Sequence, residues 1–200
     1  PECLLTYFRA MTRKYITALI LAPIIVLASA CSGGDDSSPA PDESTTTVGE
    51  ETSEHLYEAT IRRTSDGVPH IVAADLPGVF FGQGYASAED HACSLADQLL
   101  KITSTRAAFL GAGSGDANIN SDFAWKSIGI NELAREDYLA VSTEITDQFE
   151  AFAAGWNAYV EEVGVDGLSG WCSGADWVRP VTGEDVYAYA RSIALNASSS

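Results

Sequence analysis

From Tyr57 onward, apolar and polar residues first alternate and then fall into helical stripes. Tyr57, Ala59 and Ile61 interleave with Glu58, Thr60 and Arg62, the period of a strand with one buried face. Thr64-Ser65-Asp66-Gly67 has turn chemistry, and Pro69 to Ala74 reads as a return strand, so a β-hairpin is expected. Ser87-Ala88-Glu89-Asp90 matches a capping box, and Leu95, Leu99, Ile102 and Phe109 predict a helix that stops at Gly111. Residues 111–130, with Gly111, Gly113 and Gly115, read as a loop. A second helix is expected from Ser142 to Gly164 on the stripe Ile145, Phe149, Phe152, Trp156, Tyr159 and Val163. A last one opens at Thr182-Gly183-Glu184-Asp185 and carries Val186, Tyr189, Ile193 and Leu195. The pattern therefore describes an α+β chain that is mainly helical after an N-terminal β-hairpin.

The first third of the sequence follows other rules. Residues 1–10 precede the single methionine, Met11, and are expected to be an upstream extension. Residues 11–30 combine Arg13 and Lys14, an apolar run from Ile16 and the small residues Ala28-Ser29-Ala30, the three parts of a secretory signal. An apolar run of that length is short for a bilayer span. Cys31 directly after the small residues resembles a lipobox, which implies lipid attachment at Cys31; a plain signal with an incidental cysteine is the alternative. Residues 31–56 continue with seven carboxylates and no Lys or Arg, so they are expected to form an acidic, disordered linker. The folded region is then 57–200, its last helix running to the end of the sequence without a cap.

Charge removes one class of function. Eleven basic against 28 acidic residues leave −17, and that field repels phosphate polyanions, so nucleic acid is not an expected partner. In the exported region only Cys93 and Cys172 remain, and outside the cytoplasm they form either a disulfide or two buried thiols. Bridging 79 residues would stabilise by about 4 to 5 kcal/mol on the chain-entropy model. His70, His91 and Cys93 lack the paired spacing of a zinc site, and His70 reads as a half-buried strand residue. No Gly-x-Ser-x-Gly elbow, paired-His metalloprotease motif or Walker loop occurs. Residue chemistry alone thus gives an exported domain without a catalytic constellation.

Four ordered segments go further. Ala59 to Ile71, with Gly67-Val68-Pro69-His70-Ile71, resembles the opening of the penicillin acylase family. Gly82-Gln83-Gly84-Tyr85-Ala86-Ser87-Ala88-Glu89-Asp90 is similar to its Gly-Tyr-x-x-Ala-Glu/Gln-Asp signature, followed by a helix with Arg106 near its end. Ala154-Gly155-Trp156-Asn157-Ala158-Tyr159 and Trp177-x-x-x-x-Val181-Thr182-x-x-Asp185-Val186 resemble two further segments. Cys93 and Cys172 look most like the branch containing aculeacin and acyl-homoserine lactone acylases.

The resemblance implies an N-terminal-nucleophile hydrolase with an αββα sandwich when complete, made as a precursor that cuts itself into α and β chains. It further implies an amidohydrolase acting on a small acylated substrate such as a β-lactam, an acyl-homoserine lactone or a lipopeptide. The nucleophile would be the N-terminal Ser of the β chain, so no catalytic residue is expected within residues 57–200. Ser198, Ser199 and Ser200 follow Asn196-Ala197 rather than the family's Gly and are not expected to be that nucleophile. By the same resemblance the substrate pocket would touch Ala194, Leu195, Ala197 and Ser198, with Asn196 matching a family Asn; packing onto the β chain is the other use of that face. The implied partners are the β chain, the acylated substrate and, through the lipid, a membrane of the cell envelope. No cofactor is implied beyond a calcium ion that some members hold mostly with the β chain. The alternative from another class is a catalytically inactive exported lipoprotein that binds an acylated ligand or partner. Without its partner, this chain is expected to expose the stripe headed by Ile145 and Trp156.

Overall fold

In the computed structural model, which describes residues 45–51 and 56–198, a small antiparallel sheet lies against two long helices. The chain order is β1 (Thr45–Glu51), β2 (Leu56–Arg63), β3 (Pro69–Val72), α1 (Leu76–Ile102), α2 (Arg106–Leu110), α3 (Ala117–Ile128), α4 (Ile130–Tyr138), α5 (Thr143–Val163) and α6 (Gly183–Ser198). The described residues belong to one unit, Ala40–Ser200. The upstream extension, the signal, Cys31, Ser199 and Ser200 lie outside the described residues.

The hairpin forms as its alternation demands. β2 and β3 pair antiparallel with Ile61 opposite Ile71. Tyr57, Ala59 and Ile61 are buried while Glu58 and Arg62 are exposed. The turn closes through Gly67 N–H to Thr64 O at 2.9 Å and Thr64 N–H to Val68 O at 3.1 Å. His70 is exposed rather than half-buried, because the outward face of β3 has no layer over it.

β1 corrects the linker expectation. Thr45–Glu51, expected to be disordered within 31–56, pairs along β2 with Val48 opposite Ala59. Thr45, Thr46, Thr47 and Val48 are β-branched, and pairing supplies the backbone hydrogen bonds that acidic composition alone does not reveal.

α1 begins eleven residues before the expected capping box at Ser87. Asp75 is its N-cap, accepting from Gly78 N–H at 2.9 Å, with Pro77 in the first turn. Ser87 sits mid-helix, and Glu89 and Asp90 instead hold Arg63 of β2. α1 also ends sooner: Ser104 has φ 58°, α2 starts at Arg106, and Phe109 is 51% exposed rather than on the α1 stripe. His91, at φ −141°, breaks helical geometry within α1.

The expected loop 111–130 is a loop only to Asp116. Ala117–Ile128 is helical, and Ile130–Tyr138 adds another helix. Each buries one or two large or small apolar residues, Trp125 in α3 and Ile130 and Ala134 in α4, so neither presents the full stripe from which a helix is read. α5 and α6 occupy the expected spans.

The crossing of α1 and α5 organises the core. A Cβ on Gly84 would lie 2.0 Å from Phe152 O, and one on Gly155 would lie 1.9 Å from Phe81 O. The two backbones therefore touch, and only glycine fits at either position. Ala151 and Ala154 flank the crossing on α5, and both are buried. The small residues of α5 thus face α1, while the aromatic stripe is turned aside: Phe149 and Phe152 are half-buried and Ile145 is 45% exposed. Trp156 corrects the expectation of an exposed stripe, for it is 2% exposed and packed with Ala88, Ala92 and Cys93 of α1 and Cys172 beyond α5.

Candidate functional site

Cys93 and Cys172 are disulfide-bonded, with their Cα atoms 5.2 Å apart. The bridge fastens the segment between α5 and α6 to the middle of α1. Asn157 of α5 holds the far end of that segment, its Nδ2–H donating to Val181 O at 2.9 Å and its Oδ1 accepting from Val181 N–H at 2.8 Å. A side-chain amide read twice by one backbone residue fixes both position and orientation.

α6 starts immediately afterwards with a reciprocal cap. Thr182 Oγ1 accepts from Asp185 N–H at 3.2 Å, and Asp185 Oδ2 accepts from Thr182 N–H at 3.0 Å. Asp185 also takes two bonds from Arg179, both 2.8 Å. Burial pushes the Asp185 carboxyl up, but the Arg179 guanidinium and the Thr182 donors outweigh it and hold the acid below the usual carboxylate range. Arg179 is correspondingly raised by Asp185.

Alongside, Glu150 of α5 reaches α6 and α4 together. Its Oε2 accepts from Gly183 N–H at 3.2 Å and its Oε1 from the Tyr138 hydroxyl at 2.8 Å. Burial, then the bond to Glu150, raises the Tyr138 hydroxyl well above its ordinary range, so it stays protonated and donates. Tyr138, Phe149 and Tyr187 form an aromatic triad with centroids 5.3 to 6.5 Å apart. The α4 helix adds ion pairs from Arg135 to Glu184 and from Asp137 to Arg191. These anchors were missed from sequence; the signal was Gly183 directly after Thr182 in a helix that otherwise avoids glycine.

The candidate pocket residues lie in the last turns of α6. Ala194, Ala197 and Ser198 are exposed and, at intervals of three and four, share one face. Leu195 is half-buried against the cluster that contains Ile102, Trp125, Ile130, Ala134 and Ala188. Ser198 Oγ donates to Leu195 O at 2.9 Å, a bond within its own helix. A cleft of about 250 Å³ opens elsewhere, between Leu99 and Leu100 of α1, Phe109 of α2 and Trp177, and none of the four α6 residues lines it. The described residues therefore supply an open helical wall at these positions and no enclosed chamber.

Among the described residues no group of three or more His, Cys, Asp or Glu is arranged to hold a metal ion. Cys93 is consumed by the disulfide and has no thiolate to offer a metal. No helix among the described residues is long and apolar enough to cross a membrane.

Residues 58–200 match the family model described as penicillin amidase. The acyl-homoserine lactone acylase PvdQ of Pseudomonas savastanoi pv. phaseolicola is 35% identical over 137 residues, which cover 66% of this chain and 18% of that protein. Aculeacin-A acylase of Actinoplanes utahensis is 34% identical over 139 residues, again 66% of this chain and 18% of its own. The structure is similar to that of a thermostable penicillin G acylase from Alcaligenes faecalis, with a TM-score of 0.59 and 26% identity, covering 80% of this chain and 77% of that one. The chain thus spans about a fifth of the length of the curated relatives it matches. The glycines of the α1–α5 crossing, the Asn157 clamp and the Thr182–Asp185 cap lie within the matched region, and the chain belongs to the penicillin amidase family.

Proposed function

We propose that this chain is the α-chain region of an exported amidohydrolase precursor, and that its α6 helix forms one wall of an acyl-binding chamber completed by a β chain. The observations that carry the reading are a family match along 58–200 and a 137-residue likeness that covers only 18% of a relative named as an acylase. The chemistry resides in the larger part. There the hydroxyl of an N-terminal Ser attacks the amide carbonyl, and its own α-amine, with an ordinary pKa of about 7.7–8.0, takes the proton. Fixed donors stabilise the oxyanion, the C–N bond breaks as the amine leaves protonated, and water then releases the acid from the seryl ester.

What this chain contributes is shape. Ala194 and Ala197 present little side-chain volume, so a β chain placed over this face leaves room for a long or bulky acyl group. The relatives named for acyl-homoserine lactones and aculeacin A support acylated amides of those kinds over the substrate named in the penicillin G acylase. A calcium ion, where one is held, takes most of its ligands from the β chain. The assembled product is expected to hydrolyse a long-chain acyl-homoserine lactone or an acylated lipopeptide faster than penicillin G, measured as kcat/KM over a panel of acyl donors. Cleavage of none of them would refute the enzyme reading. Lipid at Cys31 places the enzyme at the cell envelope; partition into a detergent phase is expected to disappear in Cys31→Ser, and equal partition of both forms contradicts the anchor.

A further inference from the structure

We infer that Glu150 and Tyr138 are positioning residues that set the seating of α6 and through it the acyl-length selectivity of the proposed reaction; the inference rests on α6 being a chamber wall. Three observations meet at one point. Glu150 offers a separate oxygen to Gly183 N–H and to the Tyr138 hydroxyl, so one carboxylate ties the start of α6 to α5 and α4. Gly183 is buried against the same pair: a Cβ there would come within 2.6 Å of the Glu150 carboxyl carbon and 2.4 Å of Tyr138 Oη. The ring of Tyr138 is held in turn by Phe149 of α5 and Tyr187 of α6. The seat of α6 is therefore defined by contact and by hydrogen bonding at its first residue.

A helix transmits that seat to its far end. From Gly183 to Ala194 the axis runs about 16 Å, so a tilt of about 4° moves Ala194 by about 1 Å. A displacement of that size is enough to change how well a chamber discriminates acyl chains. Beyond its first residue α6 is held to α4 by Arg191, which pairs with Asp137 beside Tyr138 and donates to Leu133 O, and by Leu195 against the α3–α4 cluster, so α4 and α6 shift together when the Glu150–Tyr138 tie changes.

The chemistry of the bonds separates charge from geometry. A glutamine at 150 can accept from Gly183 N–H through its oxygen and donate through its amide to Tyr138 Oη, so both links survive without charge. An alanine at 150 loses both. In the processed full-length enzyme, Glu150→Ala is expected to reduce the ratio of kcat/KM between the best acyl length and one four carbons shorter by about fivefold or more, through KM. Glu150→Gln is expected to keep that ratio within about twofold of wild type. Tyr138→Phe removes one link and is expected to shift the ratio in the same direction by less, which keeps the test available if Glu150→Ala fails to mature. An unchanged ratio in Glu150→Ala, or in Tyr138→Phe where that variant alone matures, overturns the inference. So does a Glu150→Gln variant as impaired as Glu150→Ala. A wild-type enzyme that cleaves no acylated amide overturns the functional reading and this inference with it, an outcome distinct from an active wild type whose selectivity ignores both substitutions.

Discussion

At the scale of single residues, Gly84 and Gly155 decide whether the two long helices can meet. Each faces a backbone carbonyl that a side chain would strike, Phe152 O and Phe81 O respectively. Contacts of that kind are rigid on both sides, so the helices must separate to admit even a methyl group. Gly155→Val in the full-length protein is expected to destabilise by about 3 kcal/mol or more, measured by urea unfolding. A loss below about 1 kcal/mol would show that the crossing is loose. Both glycines stand in the segments whose resemblance was recognised from sequence, but their role was not legible there. A glycine inside a helical pattern weakens the prediction of a helix, and here it concealed the first part of α1, although Asp75 and Pro77 marked the true start. The close approach that requires glycine belongs to a helix some seventy residues away, which no local pattern contains.

Among elements, α6 is the one whose sequence and structure agree best, because its start is written in local chemistry. Thr182 and Asp185 close on each other, and Arg179 joins them from three residues before Thr182. Asp185 is held below its ordinary range, so its carboxylate contributes stability above the unfolded value of about 3.9, and that contribution is lost as pH falls through the lower folded value. Asp185→Asn is therefore expected to cost about 1 kcal/mol near neutrality and to show a shallower loss of stability below about pH 4 than wild type, followed by thermal melts. Parallel curves for the two proteins would remove the carboxylate from the account. α3 and α4 were not legible for the opposite reason. Their buried residues are too few to draw a stripe, and their positions come from Trp125 packing against α1 and from Ala134 packing beside α6 rather than from periodicity. β1 is a third case, a strand whose acidic, threonine-rich sequence is paired along β2.

For the whole molecule, the disulfide, the Asn157 clamp and the Glu150 tie serve one arrangement: a helical layer that carries α6 at its side with the Ala194–Ala197 face open. The family was legible because four short segments occur in order, and the structure explains them as a hairpin turn, the two sides of a helix crossing and a helix cap. The candidate pocket was legible only by resemblance, since Ala194, Leu195, Ala197 and Ser198 have no shared chemistry until another surface covers them. Conversion of a precursor is what joins these observations to a reaction. The most direct measurement is intact-mass analysis with N-terminal sequencing of the product expressed from the complete gene. The account predicts two chains, the larger beginning with Ser and the smaller containing residues 57–198. One uncut chain, or a larger chain with any other first residue, would contradict it.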